Sequence, residues 1–281
     1  MYLKSIFHMG SLLLRFRNGA TLVRQMRAGQ PCAEVVLWDG TRIAHPPDRE
    51  GLLEGLQEIW RERIYTDDFY RPAPNDVIVD AGANVGLFTI HIARQHRRCR
   101  VIALEPFAEN FQYLEANVAR ARLANVTCCE AALGAEAGMG EMEEVGTRSL
   151  DHVLRVGVRL EIGRSQFSAL GRPVAAGESH DAPSGGVRVL PLSGLFDLAG
   201  AREVDFLKAD IEGSERSVFA AATPDVLGRI KRIAMEYHDR IVPGTLELVR
   251  SVLTPSHQIT VRPSQQEGCG ILLARRRERK N

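Results

Sequence analysis

Residues 80–86, Asp80-Ala81-Gly82-Ala83-Asn84-Val85-Gly86 (DAGANVG), stand between the apolar run VIV at 77–79 and the run LFTIHIARQ at 87–95. An acid, two glycines and an asparagine thus share one tight link between an apolar strand and a helix. Gly82 and Gly86 have no Cβ, so the chain can turn sharply and its backbone can approach a ligand closely. The following helix offers free N–H groups at its start. In open parallel sheets, ligands bind beyond the carboxyl ends of the strands, near the point where strand order reverses. DAGANVG is placed at such an end.

Outward from this link the chain alternates strands and helices. DVIVDAG, RVIALEP, VTCCEAAL, VDFLKADIE and RIKRIAMEYH read as strands. GLFTIHIARQ, AENFQYLEANVARARL, SERSVFAAA and GTLELVRSVL read as helices. Apolar runs buried on both faces imply a parallel sheet with helices on both sides, an α/β fold. HQITVRP and GILLARR, separated by SQQEGC, predict an antiparallel pair at the C-terminal edge. Residues 134–188, including GRPVAAGESHDAPSGG, lack periodicity and read as a variable insert: a lid, a dimer element or a disordered loop. Residues 1–75 read as an N-terminal extension leading into a main domain at 76–281. Its expected parts are a basic amphipathic helix over about 1–30, a hairpin in AEVVLWDGTRIAHPP turning at Asp39-Gly40, and a helix in REGLLEGLQEIWRERIYTDDFY that ends near Arg71-Pro72.

The 281 residues are 44% hydrophobic and 25% charged, with a formal net charge of +1. That balance provides no broad basic face, so a nucleic-acid partner is not expected. The basic stretches LRFRNGATLVRQMR and RRRERKN read as solvated ends. The five cysteines, Cys32, Cys99, Cys128, Cys129 and Cys269, are odd in number and have no CxxC spacing. Neither a disulfide framework nor a zinc site follows, and a reducing, cytoplasmic setting is expected. No secretory signal pattern is seen, and no run nears the roughly 20 apolar residues that span a bilayer.

A dinucleotide-binding turn would read G-x-G-x-x-G, with its second glycine making room for a pyrophosphate. Here that place holds Asn84, and Asp80 at the strand tip repels phosphate and attracts a cation. S-adenosylmethionine suits this electrostatics, since it carries a sulfonium and an ammonium and no phosphate. Glu105 ends the next strand, where a carboxylate can accept both ribose hydroxyls, and Pro106 holds the exit from that strand. Glu130 and Ala131 fall where an adenine edge would lie, although for Glu130 a solvated strand end weighs equally. The expected donor-binding set is Asp80, Gly82, Asn84, Gly86, Glu105, Pro106, Glu130, Ala131, Asp210 and Tyr65; Tyr65 and Tyr70 precede the bend and would wall the pocket.

VIVDAGANVGLFTIHIAR, VIALEPFAENFQYLEANV, NVTCCEAALG, VDFLKADIEGSERSVF and IAMEYH occur in this order. Together they resemble the FkbM-type S-adenosylmethionine-dependent methyltransferases, over roughly residues 65–238. The usual family pattern K-[IV]-D-[VI]-E-G has Ala209 at its branched position here. The resemblance implies a Rossmann-like class I methyltransferase sheet and transfer to oxygen. The loop at 163–186 lies outside the common pattern and is assigned to this enzyme's own acceptor.

An alcohol acceptor must lose its proton to become a good nucleophile. KADIEG places Asp210 and Glu212 at the fourth strand tip, and MEYHD places Glu236, His238 and Asp239 at the fifth. Three uses compete. His238, with an ordinary pKa near 6.5, would be a general base. Asp210, Glu212 and His238 would instead hold a divalent cation. Or the acids only bind the methionine ammonium and substrate hydroxyls. Base or substrate contact is preferred, with Asp210, His238 and Glu212 as the catalytic set. No metal is assigned, because no spacing is specific to one ion. Lys208, just ahead of the acid, is read as facing the other side of the strand as a structural ion-pair partner. The expected activity is a cytoplasmic O-methyltransferase acting on a hydroxyl of a small molecule, glycan or natural-product intermediate, with a homodimer through the N-terminal extension as one expectation. The alternatives are an NAD- or nucleotide-sugar-binding enzyme on a similar sheet, or a non-catalytic binding protein of the same fold.

Overall fold

The computed structural model describes residue 10 and residues 14–47, 51–144, 152–155, 186–264 and 266–278. Among the described residues Gly10, Leu14 and Arg15 are also helical, and after a break at residues 16–18 the helix α1 (Gly19–Arg27) follows. Phe16 already bridges to Leu37, and the Asn18 side chain clamps Glu34 O and Val36 N, so the chain before Gly19 is tied to the hairpin. The hairpin forms as expected from β1 (Glu34–Val36) and β2 (Arg42–Ala44), paired antiparallel. Thr41 N donates to the Asp39 carboxylate in its turn.

Helix α2 (Leu52–Gly55) continues as a wider π-helical segment, Leu56–Glu62. Arg63 adopts a left-handed φ of 51° and stops it, well before the expected end at Arg71-Pro72. The chain then turns through residues 64–69 and buries Tyr65 and Tyr70. Tyr70 stacks on Phe206 at 4.4 Å, and its hydroxyl donates to Asp76, which uses it up in packing.

The main series then runs β3 (Val77–Ala81), α3 (Leu87–Gln95), β4 (Arg100–Leu104), α4 (Ala108–Arg120), β5 (Val126–Cys129), β6 (Ala131–Leu133), β7 (Gly138–Glu144), β8 (His152–Arg155), β9 (Val187–Leu190), α5 (Gly194–Ala199), β10 (Phe206–Ala209), α6 (Glu215–Ala221), α7 (Pro224–Gly228), β11 (Arg232–His238), α8 (Thr245–Leu253), β12 (His257–Pro263) and β13 (Cys269–Arg276). The central seven-stranded sheet has the order β12-β13-β11-β10-β3-β4-β5. Strands β3, β4, β5, β10 and β11 pair in parallel, while β13 is antiparallel to both β11 and β12. This is the expected mostly parallel α/β sheet with an antiparallel C-terminal edge.

Two expectations are corrected here. VTCCEAAL is two strands: Glu130 stands exposed between β5 and β6, and β6 leaves the central sheet. The stretch read as an unstructured insert supplies β7 and β8, and β9 begins at its end; with β6 they form a second sheet ordered β6-β9-β7-β8. β7 pairs with its neighbour β8, but β9 joins β6 and β7 across some 50 residues, and local composition carries no sign of that. Residues 145–151 and 156–185 lie outside the described residues.

One core fills the sheet face under α3 and α4 and takes in Phe16, Leu22, Val35, Ile43, Leu56 and Tyr70 from the N-terminal segment. Asn117 on α4 ties that segment down: its amide accepts from Ala44 N and donates to Ala44 O and Val85 O. A second core lies on the other face, built around Phe196, Phe219, Met235 and Leu253. No helix among the described residues is long and apolar enough to cross a membrane.

Candidate functional site

Strands β3 and β10 are neighbours, and later strands lie on opposite sides of them, so the sheet's switch point falls between their carboxyl ends. Gly82 follows β3 there with φ +75°, and a Cβ on it would stand 1.8 Å from the Asp210 carbonyl oxygen. Only glycine can make this bend. Gly82 N and Ala83 N donate to Leu104 O, and Asn84 takes a left-handed φ of 50°. Glu105 holds the bend from beside it: Oε2 accepts from Asn84 N at 2.8 Å and Oε1 from Phe107 N at 3.0 Å. Burial pushes the Glu105 carboxyl up to about 7 against the pull of those two donors. Gly86 serves packing instead, since a Cβ there would press 2.8 Å from Leu114.

Asp80 is fully buried and does not face the cavity. Its Oδ2 accepts from Thr89 Oγ1 at 2.6 Å, and Lys208 Nζ lies 3.1 Å from Oδ1. Lys208 also donates to Gly82 O at 2.9 Å and stands 3.7 Å from Asp210 Oδ2. The expected ion-pair role of Lys208 is met, but its direction is corrected. It stands two positions before Asp210, and the strand period of two puts both on one side. Burial lowers the Lys208 pKa, yet the Asp80 and Asp210 charges prevail and raise it. The field of Asp80 is therefore spent on Lys208, and other carboxylates face the ligand space.

Those carboxylates surround a cavity of about 630 Å³ at the switch point, within the usual size for a small-molecule site. Of the expected donor contacts, Gly82, Asn84, Asp210 and Tyr65 line it, and so do Glu212 and His238. Glu105 and Pro106 lie behind the bend, Glu130 is exposed and Ala131 is wholly buried; none of these four lines this cavity. Asp239 accepts from Leu246 N and serves the start of α8.

The Tyr65 hydroxyl lies 3.1 Å from both Asp210 Oδ2 and Glu236 Oε2. His238 is buried, and its Nδ1 lies 2.8 Å from Oε1 of Glu215, a fully buried carboxylate at the start of α6. Burial opposes a charge on His238, but the Glu215 hydrogen bond and charge, with Glu212 and Asp210 beyond, push its pKa up to about 10. The imidazole of ordinary pKa expected for a base is not what this environment favours. Burial and then the Asp210 charge raise Glu236 to about 7, while burial holds Glu212 well above the carboxylate range.

Glu58 joins the same wall from the π-helical segment, raised to about 8 by burial and by the charges of Glu236 and Asp210. Sequence reasoning missed it. Glu54, Glu58 and Glu62 recur every fourth residue, and that acidic stripe was the available signal.

The methyltransferase FkbM domain model matches residues 80–254. The chain is 30% identical over 237 residues to the 31-O-demethyl-FK506 methyltransferase FkbM of Streptomyces tacrolimicus, covering 79% of this chain and 87% of that protein. It is 28% identical over 204 residues to the AMB antimetabolite synthetase AmbE of Pseudomonas aeruginosa, covering 66% of this chain and only 9% of that much longer protein. Among solved structures it is similar to the precorrin-6y C5,15-methyltransferase of Geobacter metallireducens, with TM-score 0.40, 16% identity and coverage of 74% and 82% of the two chains. It is also similar to the magnesium protoporphyrin IX methyltransferase ChlM of Synechocystis with bound SAM, with TM-score 0.41, 11% identity and coverage of 73% and 71%. The glycine bend, the carboxylates beyond it and the matched span of sequence agree: this chain belongs to the FkbM methyltransferase domain family.

Proposed function

We propose that the protein methylates a hydroxyl of a small molecule, a glycan or a natural-product intermediate, using S-adenosylmethionine. The observation that carries this reading is the cavity wall. Six carboxylates (Glu54, Glu58, Glu62, Asp210, Glu212 and Glu236) line it against four basic side chains, Lys208, Arg240, Arg262 and His238. Such a wall favours a cationic ligand and disfavours a pyrophosphate. The residues fit the donor, because the bend packed against the Asp210 backbone brings Gly82, Ala83 and Asn84 to the cavity wall beside Asp210 and Tyr65. The donor would supply a methyl group already activated on its sulfonium.

The chain's own work is binding, alignment and proton removal. The bend from Gly82 to Asn84 would hold the donor close to backbone, and Glu105, which fixes the bend through Asn84 N and Phe107 N, would meet the ribose hydroxyls only by opening one of those contacts. The acceptor hydroxyl would sit beside Asp210, Glu212 and His238, where a carboxylate can take its proton and the Glu215-held imidazole aims Nε2 at the acceptor oxygen. Transfer to oxygen is supported by the similarity to the Streptomyces 31-O-demethyl-FK506 methyltransferase.

A melting experiment tests the donor. S-adenosylhomocysteine at 100 times its Kd should stabilise the protein by about 2.7 kcal/mol, and NAD should not. A shift with NAD alone sinks the reading. Isotope-labelled methyl from the donor, traced into products of a host extract, should appear on oxygen.

A further inference from the structure

We propose that Asp210, Glu236 and His238 form a site for a hard divalent cation, Mg²⁺ or Mn²⁺, in the cavity wall beside the glycine bend. Asp210 directly follows β10, and Glu236 and His238 alternate on β11, the next strand. Ala209 pairs with Met235, so Asp210 comes level with Glu236, and the strand period puts His238 on the same side. One ligand atom from each lies within 4.8 Å of the others. On Mg²⁺, ligands at right angles stand about 3.0 Å apart and opposite ones about 4.2 Å, so closure draws the three side chains together by at most about 2 Å.

A second observation points to a ligand independently. His238 has 4% of its side chain exposed, and its Nδ1 is held by Glu215, which is 0% exposed. That contact turns Nε2 into the cluster, 3.5 Å from Glu212 Oε2 and 3.9 Å from Glu236 Oε1, with no hydrogen bond of its own among the described residues. A buried carboxylate behind an imidazole that faces other ligands is the arrangement that orients metal-bound histidines. Asp210 Oδ1 is buried and has no hydrogen-bond partner among the described residues. Tyr65 has a single hydroxyl proton for two carboxylate oxygens, each 3.1 Å away, so one of them always goes without it. Lys208 is engaged with Asp80 and Gly82 and stays 3.7 Å from Asp210.

Two carboxylates and one imidazole, with no thiolate, suit a hard ion, which would release the proton of the His238 imidazolium as it binds Nε2. Three protein ligands leave positions open for water or for an acceptor oxygen. Resting on the methyl-transfer reading, the ion would hold that oxygen and lower the pKa of its hydroxyl. The proton would pass to cavity water, the oxygen–methyl bond would form as the methyl–sulfur bond breaks, and S-adenosylhomocysteine would leave.

The test titrates metal-stripped protein with Mn²⁺ and follows loss of the free-ion electron paramagnetic resonance signal, with S-adenosylhomocysteine affinity measured separately. One Mn²⁺ per chain, displaced by Mg²⁺, is expected. Glu236→Gln should weaken it at least about 10-fold, and Glu215→Gln, which leaves all three ligands in place, about 10- to 100-fold. If Glu215→Gln does not fold, Glu236→Gln decides alone. Absent or non-stoichiometric binding, or binding that Glu236→Gln leaves unchanged, overturns the site. Mn²⁺ failure with S-adenosylhomocysteine bound leaves the methyl-transfer reading standing; Mn²⁺ bound with no S-adenosylhomocysteine affinity does the reverse.

Discussion

Gly82 shows how one missing atom shapes the site. Its φ of +75° and the 1.8 Å approach of a hypothetical Cβ to a backbone oxygen leave no soft neighbour to move. Gly82→Ala should therefore cost about 3 kcal/mol in urea unfolding and abolish S-adenosylhomocysteine binding. An unchanged midpoint would mean the bend is not this tight. Glu105 carries a pH signature, since its carboxyl is raised to about 7 in the folded chain. The ionised form accepts from Asn84 N in the bend that the proposed donor site uses, so donor affinity should be full above pH 7 and fall as pH drops through it. Glu105→Gln should flatten that profile in binding titrations at pH 6 and pH 8. The same shift acts oppositely on stability. A carboxyl raised on folding favours the folded state below its unfolded value near 4.3, and this contribution is lost as pH rises through 7.

At the scale of elements, the N-terminal hairpin is tied to the helices over the central sheet by Asn117 and by the ion pair of Asp39 with Arg94. Asn117 on α4 meets both backbone groups of Ala44 and the carbonyl of Val85. Asn117→Ala would leave three partly or fully buried backbone groups unpaired. The expected cost is about 2–3 kcal/mol, with faster amide hydrogen exchange at Ala44. Exchange unaffected at Ala44 would show that the hairpin is held without Asn117. The strand–helix series that carries these contacts was legible, because burial on both faces leaves continuous apolar runs. The second sheet was not, because β9 joins β6 and β7 only through pairing with segments far along the chain. Asp80 was legible as an acid at a strand tip, but its pairing with Lys208 across 128 positions was not.

For the molecule as a whole, the N-terminal segment and the central sheet share one core. Tyr70 stacks on Phe206 of β10, and Tyr65 reaches Asp210 and Glu236 in the cavity. A chain beginning at residue 76 should accordingly lose cooperative thermal unfolding and expose the apolar face of α3. A sharp melt from that fragment, seen by circular dichroism, would instead make residues 1–75 a dispensable addition.

By itself the sequence determined the alternating α/β series, the antiparallel edge and the glycine bend at the end of the first central strand. Each of these depends on periodicity or on backbone freedom within a few neighbouring residues. Tertiary structure alone decided which acids face the ligand. It buried Asp80 against Lys208, brought Glu58 in from a preceding helix and set Glu215 behind His238. The physical reason is that charge pairing follows distance in space, and strand order joins side chains such as Tyr65 and Glu236, 171 positions apart, that no local pattern connects.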